Sequence, residues 1–376
     1  MTTAINPFIT SGYKGPDYFC DREQETRRLI TSLQGGSNVT LMAPRRIGKT
    51  GLIMHAFHLM QQQEPDAQFF YIDILATKSL DQLTKALASA IAGKVDSPLE
   101  KVKNWANDFI KGFRPKMTFD VMTGAPEFSF EIQPSDARHT LESILDYLER
   151  SERRCYVAID EFQQILNYDD TGTEALIRSK VQMMRNTNFV FAGSMMHLMA
   201  DIFLSPKHPF FHSTSILTLS EIDRDAFREF ANRHLAAKQK SISKEDFNYL
   251  YDMVDGQTWY VQKILNNIYQ QPQPTAGRNA INQAANDAIL EQEPTFQYIV
   301  FTLSPNQEAV LKAIARDGIV PAPYARDFLQ RHHLPAASSV RRTVQNLEAK
   351  QLIYHKVKEG YLVYDRFFAI WLRRQV

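Results

Sequence analysis

The sequence contains very little cysteine: Cys20 and Cys155 are the only two among its 376 residues. Two thiols cannot build a disulfide framework, and they cannot supply the four ligands of a thiolate zinc site. An excess of charge of one sign is also lacking, because 43 Lys and Arg residues oppose 42 Asp and Glu residues and leave a formal net charge of +1. This balance excludes a protein that coats a polyanion along its whole length.

Long hydrophobic runs and a leader segment are missing as well. The longest apolar stretch, residues 189–204, is interrupted by His197 and Asp201, so it does not predict a membrane span. The first ten residues contain no basic segment followed by an apolar core, and we therefore expect no signal peptide. Because 44% of the residues are apolar and 23% are charged, the composition is typical of a globular protein. We expect a cytoplasmic protein with no membrane partner.

Length and residue pattern together predict three domains. At about 150 residues per domain, the chain is long enough for two or three. Strand and helix patterns alternate in the first part, which is typical of an α/β fold with a parallel sheet, while helical patterns alone follow. The last part predicts three helices before a short hairpin, the arrangement of a winged helix. We therefore predict an α/β core at 1–217, a helical lid at 218–300 and a winged helix at 301–376, with an extra hairpin around Thr123–Pro126.

The segment between the first predicted strand and its helix carries the strongest functional signal. A turn from strand to helix points unpaired backbone N–H groups and the positive end of the helix dipole at one place, which favours anion binding. Gly48 lets the backbone approach closely, Lys49 can reach the β- and γ-phosphates, and the Thr50 hydroxyl can ligate Mg²⁺. The predicted phosphate loop comprises Ala43, Pro44, Arg45, Arg46, Ile47, Gly48, Lys49, Thr50 and Gly51.

This segment predicts ATP and Mg²⁺ as ligands. Ala43 stands where such loops usually have their first glycine, and a methyl group is tolerable there if φ is negative. The alternative is a chance Gly-Lys-Thr sequence at a helix start. The strand pattern before the segment and the helical pattern after it favour the phosphate loop.

Two consecutive carboxylates follow another apolar strand pattern. Residues 155–159 are apolar, and Asp160 and Glu161 come directly after them. In this fold class the carboxyl end of such a strand lies close to the phosphate loop. We predict that Asp160 holds Mg²⁺ through water and that Glu161 polarises the attacking water. The alternative is a pair of carboxylates at a solvated helix cap.

A third strand pattern ends in a small polar residue. Residues 189–192 are apolar, and Gly193 and Ser194 follow them. Ser194 fits a catalytic sensor that hydrogen-bonds the γ-phosphate or the lytic water. It also fits a helix N-cap, because a helical run begins at Met195. The sequence leaves both interpretations open.

These motifs resemble those of the STAND-class AAA+ P-loop ATPases, in particular the archaeal ATPase family. The similarity covers nearly the whole chain, and it implies an AAA+ type parallel sheet core, a helical lid, a C-terminal winged helix and the ligands ATP, ADP and Mg²⁺. It also implies that Arg22, in a motif beside the adenine, and the loop residues Arg45 and Arg46 bind the nucleotide. The other motifs are Ile159-Asp160-Glu161-Phe162-Gln163, Ala192-Gly193-Ser194 and Tyr364-Asp365-Arg366-Phe367-Phe368-Ala369-Ile370-Trp371-Leu372.

The sequence departs from the family pattern in two places. The family usually has an arginine shortly after its sensor strand, but residues 209–213 contain none. An arginine finger accelerates hydrolysis by about 10³- to 10⁵-fold. In the lid motif, Thr258 replaces a proline that would pack near the base.

The C-terminal segment has an excess of basic residues, four of which are candidates for contacts with DNA. Arg341 and Arg342 are expected in the first turn of the third helix, where a recognition helix meets DNA, and Lys356 and Lys358 lie in the predicted wing. A winged helix can instead mediate contacts with a protein partner or with a second copy of the chain. In that case these basic residues would simply be solvated.

Three hypotheses about function follow from these observations. The first is a nucleotide-dependent switch, in which ATP–Mg²⁺ binds between core and lid and hydrolysis resets the switch. The second is an ATP-gated protein that binds double-stranded DNA, of the origin-recognition or transposition-regulator type. The third is a nucleotide-binding scaffold for a partner protein, with negligible turnover because the arginine is missing.

Overall fold

The computed structural model describes residues 6–92, 114–119, 126–356 and 358–375. They divide into two compact units. One unit is Gly12–Glu221, and the other combines Ile222–Val376 with the N-terminal residues as far as Ser11. The three domain boundaries expected from the sequence stay a prediction.

The first unit is built on a parallel sheet of five strands in the order β2-β5-β6-β1-β7. This confirms the predicted parallel α/β core. Two further strands, β3 and β4, pair antiparallel and confirm the predicted extra hairpin, although its turn lies outside the described residues. The strands are β1 (Val39–Met42), β2 (Gln68–Asp73), β3 (Arg114–Phe119), β4 (Pro126–Glu131), β5 (Cys155–Asp160), β6 (Thr187–Gly193) and β7 (Ser215–Thr218).

Helices cover both faces of this sheet. Every residue of β1, β5 and β6 is buried, which explains why these strands read as continuous apolar runs rather than as alternating patterns. Helices α1 and α2 cover one face, and α3 to α6 cover the other. They are α1 (Glu23–Gln34), α2 (Lys49–Gln63), α3 (Leu80–Ala92), α4 (Ala137–Arg150), α5 (Thr173–Val181) and α6 (Met196–Leu204).

The described residues of the second unit form helices and one small hairpin. Strands β8 (Ile353–Lys356) and β9 (Gly360–Val363) pair antiparallel after three helices, which confirms the predicted winged helix. Gly360 has φ +131°, and a Cβ atom there would collide with the backbone of Val320, which pairs with Tyr361. The helices are α7 (Arg224–Leu235), α8 (Lys244–Met253), α9 (Thr258–Gln270), α10 (Arg278–Leu290), α11 (Glu293–Phe301), α12 (Pro305–Asp317), α13 (Arg326–Arg331), α14 (Ala337–Ala349) and α15 (Arg366–Arg374).

The described helices of both units are short. In the part of the chain that the structure describes, none combines the length and the apolar character that crossing a bilayer requires.

Candidate active site

The alternation of side chains along β5 determines where the carboxylates point. Tyr156 and Ala158 belong to the apolar cluster under α1 and α2, whereas Val157 and Ile159 belong to the cluster on the other face. Because side chains on a strand alternate with a period of two, Asp160 continues the α2 side. It therefore lies at the carboxyl end of the sheet, on the face where α2 begins.

The loop between β1 and α2 turns sharply into the helix. Gly48 precedes the helix with φ +103°, a conformation that favours glycine, and Arg46 also has a positive φ of +68°. Ala43 does not adopt a positive φ, so its methyl group is compatible with this backbone. A helix of 15 residues thus starts at Lys49 with its N-terminal N–H groups directed at the loop.

Lys49 is buried and pairs with both carboxylates. Its ammonium lies 2.9 Å from Asp160 Oδ1 and 3.3 Å from Glu161 Oε1. Only 8% of the Lys49 side chain is exposed, so these ion pairs are largely shielded from solvent. The structure thus brings together the residues that the sequence assigns to the phosphates, to the metal and to the attacking water.

Asp160 is held by three further donors. Thr50 Oγ1 donates to Asp160 Oδ2 over 2.9 Å, and the Tyr71 hydroxyl donates to the same oxygen over 2.8 Å. The backbone N–H of Glu161 donates to Oδ1 over 2.9 Å. Thr50 and Asp160, the two predicted metal ligands, are therefore adjacent. Tyr71 was not singled out by the sequence.

Glu161 is fixed on its other oxygen. Ser194 Oγ and Gln163 Nε2 each donate to Glu161 Oε2 over 2.6 Å. Gln163 Oε1 is buried without a hydrogen-bond partner. A Cβ atom at Gly193 would collide with Gln163 Oε1 and with Met199, so glycine is required at the end of this strand. Gln163 belongs to a sequence motif that predicts no role for it, and its only signal is an amide two residues after the glutamate.

These contacts exclude two of the alternatives that the sequence left open. Asp160 is 3% exposed and Glu161 is 9% exposed, so the pair does not sit at a solvated helix cap. The N-cap of α6 is Met195 without any side-chain cap bond, so Ser194 does not cap that helix. Its hydroxyl contacts Glu161 instead.

Electrostatics keeps both carboxylates charged. Burial on its own would raise the pKa of Asp160, but the Lys49 ammonium and the hydrogen bonds from Lys49, Tyr71 and Thr50 outweigh burial and lower it below the ordinary value. Burial likewise opposes a lowered pKa at Glu161, where Lys49, Ser194 and Gln163 prevail. The pKa of Tyr71 is raised by burial and by the nearby Asp160 charge, so its hydroxyl remains a donor.

Arg22 lies behind the loop. It is buried, adopts the left-handed conformation with φ +72°, and donates to the carbonyl of Ser220 over 2.6 Å and to that of Ile47 over 3.4 Å. It also pairs with Glu25 at 3.0 Å. Arg22 therefore supports the phosphate loop, and its contact with a nucleotide stays a prediction.

The donor set fits a hydrated Mg²⁺ ion. Among the described residues, no three His, Cys, Asp or Glu side chains form a cluster that could hold a metal ion by themselves. Mg²⁺ does not need such a cluster, because it keeps several waters and uses one or two carboxylates together with substrate phosphates. The adjacent oxygens of Thr50 and Asp160, beside a turn that favours anions, meet that requirement.

Comparison with known proteins gives two family matches. Residues 19–264 match the family described as an ATPase domain predominantly from Archaea, and residues 294–374 match a probable winged helix domain. A search of curated proteins finds no match.

Several solved structures are similar along nearly the whole chain. A Walker-type ATPase of Pyrococcus abyssi is 19% identical, with a TM-score of 0.66 over 98% of this chain and 99% of that one. The Aeropyrum pernix ORC2 protein, solved in ADPNP–ADP complexes, is 14% identical, with a TM-score of 0.61 over 98% and 96%. The Aeropyrum pernix ORC1 protein in complex with DNA is 13% identical, with a TM-score of 0.54 over 95% and 93%. At these identities the similarity establishes a shared fold.

Proposed function

Because the chain belongs to the family of ATPase domains found predominantly in Archaea, we propose that it is a Mg²⁺-dependent ATPase that works as a nucleotide-dependent switch of the STAND class. The observation that carries this proposal is the convergence of Lys49, Thr50, Asp160 and Glu161 at the start of one helix. These four side chains are among the groups that phosphoryl transfer uses for positioning and charge stabilisation.

The protein's contribution to binding is an exchange of partners at Lys49. Its ammonium, now paired with Asp160 and Glu161, would turn to the β- and γ-phosphates. The loop N–H groups and the helix N-terminus would stabilise the remaining negative charge of the phosphates. Thr50 and Asp160 would hold Mg²⁺, which supplies charge neutralisation between the β- and γ-phosphates when it is bound. Arg22 keeps the loop in place through the carbonyl of Ile47.

Glu161 is the proposed general base. Its Oε2 atom already accepts hydrogen bonds from Ser194 and Gln163, whereas its Oε1 atom contacts Lys49. Once Lys49 turns to the phosphates, Oε1 becomes the atom that can accept a proton from the attacking water. The two fixed bonds on Oε2 orient Oε1 and hold the carboxylate in place during this transfer.

The same bonds provide a route for a switch. Ser194 lies between the end of β6 and the start of α6, so a change at Glu161 acts directly on the beginning of that helix. Loss of the γ-phosphate after hydrolysis removes one of the two phosphates that Lys49 would contact, which favours the return of its ammonium to Glu161. As part of this proposal we place the protein in the cytoplasm, as expected from the sequence.

Calorimetry and phosphate release on the purified chain test the proposal. We expect ATP to bind in the presence of Mg²⁺, binding to weaken when the metal is chelated, and phosphate to be released in a Mg²⁺-dependent manner. Binding without release under any condition would favour the scaffold, in keeping with the missing arginine in residues 209–213. Absence of ATP binding in excess Mg²⁺ would refute the proposal.

DNA binding by the winged helix is a second candidate function. Arg341 and Arg342 are exposed on α14, and Lys358 is exposed in the turn of the wing. The helix begins at Ala337, so the two arginines lie in its second turn rather than in the first turn, where the sequence predicted them. Lys356 pairs with Glu359 at 3.1 Å, which leaves fewer basic groups in the wing for phosphates.

Replacing both arginines tests this candidate. The double variant Arg341→Ala/Arg342→Ala should weaken a low-salt gel shift with duplex DNA and reduce the salt slope by about one per lost phosphate contact. The control is Lys238→Ala/Arg278→Ala, which removes the same charge from exposed positions of the same unit outside the winged helix. Equal weakening by both variants, or no shift by the wild type, would contradict a DNA interface on α14.

A further inference from the structure

Tyr71 is a polar side chain of the active site to which neither the sequence motifs nor the proposed mechanism assigns a role. It lies on β2, where it is paired in register with Ala158, whereas Asp160 is paired with Asp73. The side chain must therefore extend past two residues of the strand, about 7 Å, to bring its hydroxyl to Asp160. The hydroxyl lies 2.8 Å from Asp160 Oδ2.

The hydrogen bonds of Asp160 show what this contact adds. Oδ1 is bound by Lys49 and by the N–H of Glu161. Oδ2 is bound by two hydroxyl groups, those of Thr50 and Tyr71, which lie 3.5 Å from each other. When Lys49 turns to a phosphate, Oδ1 loses one donor, and Tyr71 and Thr50 are then the side chains that hold the rotation of the carboxylate.

Packing alone does not account for a tyrosine at this position. Phe69, two residues earlier, packs on the same side of the sheet without a hydroxyl, and Phe70 packs on the opposite side. A phenylalanine at position 71 would provide the same ring. The hydroxyl is the group that distinguishes tyrosine from phenylalanine here, and it donates a hydrogen bond to Asp160, a proposed metal ligand.

We infer that Tyr71 is a positioning residue that orients the Asp160 carboxylate for Mg²⁺, an inference that rests on the proposed function. Partners that orient metal ligands in this way affect metal affinity by about 10- to 100-fold when they are mutated. Tyr71 does so from a strand that contributes no other side chain to the contacts of Asp160 described above.

The test is a Mg²⁺ titration of nucleotide binding rather than of activity. Binding of a non-hydrolysable ATP analogue is measured by calorimetry over a range of free Mg²⁺ concentrations and in EDTA. Mg²⁺ is expected to increase the affinity for the analogue, and Tyr71→Phe should raise the free Mg²⁺ concentration at which this increase is half-maximal by about 10-fold or more. Its affinity for the analogue in EDTA should stay within about twofold of the wild type, because the hydroxyl donates to Asp160 over 2.8 Å and approaches the phosphate loop only at Thr50 Oγ1, 3.5 Å away.

The matched control is Tyr156→Phe. Tyr156 is a buried tyrosine of the neighbouring strand whose hydroxyl donates to Glu64 over 2.9 Å, on β5 but away from the site. The Tyr156→Phe variant should lose a comparable hydrogen bond and keep the wild-type midpoint of the Mg²⁺ titration. Thermal unfolding of both variants verifies that each is folded at the temperature of the titration.

The outcomes separate the two claims. A wild-type midpoint in Tyr71→Phe, or equal weakening with and without Mg²⁺, would overturn the positioning role while leaving the ATPase proposal in place. A wild type whose nucleotide binding is indifferent to Mg²⁺ would overturn both. A shifted midpoint in Tyr71→Phe together with an unshifted one in Tyr156→Phe supports the inference.

Discussion

Replacing Glu161 with glutamine is expected to abolish ATP hydrolysis while ATP binding is retained. The amide has the size of the carboxylate but cannot take a proton from water, and a positioned general base contributes about 10²- to 10⁴-fold to a rate. Phosphate release should therefore fall by at least about 100-fold. Binding should be equal or tighter, because the substitution removes a negative charge that competes for Lys49 at 3.3 Å.

The local contacts determine how the side chain of the substituted glutamine will be oriented. Ser194 and Gln163 both donate to Glu161 Oε2, so the amide oxygen of the glutamine will take that place and its NH₂ group will face Lys49. The control is Glu64→Gln, a carboxylate of the same unit that accepts from Tyr156 far from the loop. Hydrolysis at the wild-type rate by Glu161→Gln would remove Glu161 from the mechanism.

Much of the site could be predicted because its parts are local in sequence. The loop ending in Lys49 and Thr50 is recognisable from a strand, a glycine and a helix start, and the Asp160–Glu161 pair from the apolar strand before it. The general rule that ligands bind at the carboxyl ends of parallel strands then places the two segments together. The observed 2.9 Å between Thr50 Oγ1 and Asp160 Oδ2 agrees with that expectation.

The parts that could not be predicted depend on which strands are neighbours. Tyr71 reads as one more aromatic residue in an apolar strand, and its contact depends on the pairing of β2 with β5, between which the described chain forms α3, β3, β4 and α4. No local pattern encodes that pairing. Ser194 was ambiguous for the same reason, because only the placement of β6 beside β5 brings its hydroxyl to Glu161.

Replacing Lys49 with alanine is expected to have the largest effect on ATP binding. Truncating one partner of a buried charged contact costs about 2–5 kcal/mol, so the dissociation constant should rise by at least about 30-fold in calorimetry. The control is Lys180→Ala, which removes a partly exposed lysine paired with Asp146 at 3.0 Å in the same unit. Wild-type affinity in a folded Lys49→Ala protein would contradict the phosphate loop itself.

The same variant carries a pH signature that separates lost binding from lost folding. In the wild type, burial would raise the pKa values of Asp160 and Glu161, but Lys49 and its neighbours outweigh burial and lower them. The charged carboxylates therefore stabilise the fold at pH values above their ordinary pKa values of 3.8 and 4.5, and this contribution is lost as the pH falls. Without Lys49 two buried negative charges lack their cation, and breaking such a pair costs about 3–5 kcal/mol. The loss of unfolding free energy should therefore be greatest at neutral pH and shrink towards pH 4, where both carboxylates can take up protons. Denaturant unfolding at several pH values measures it, and a loss independent of pH would show that Lys49 does not neutralise this pair.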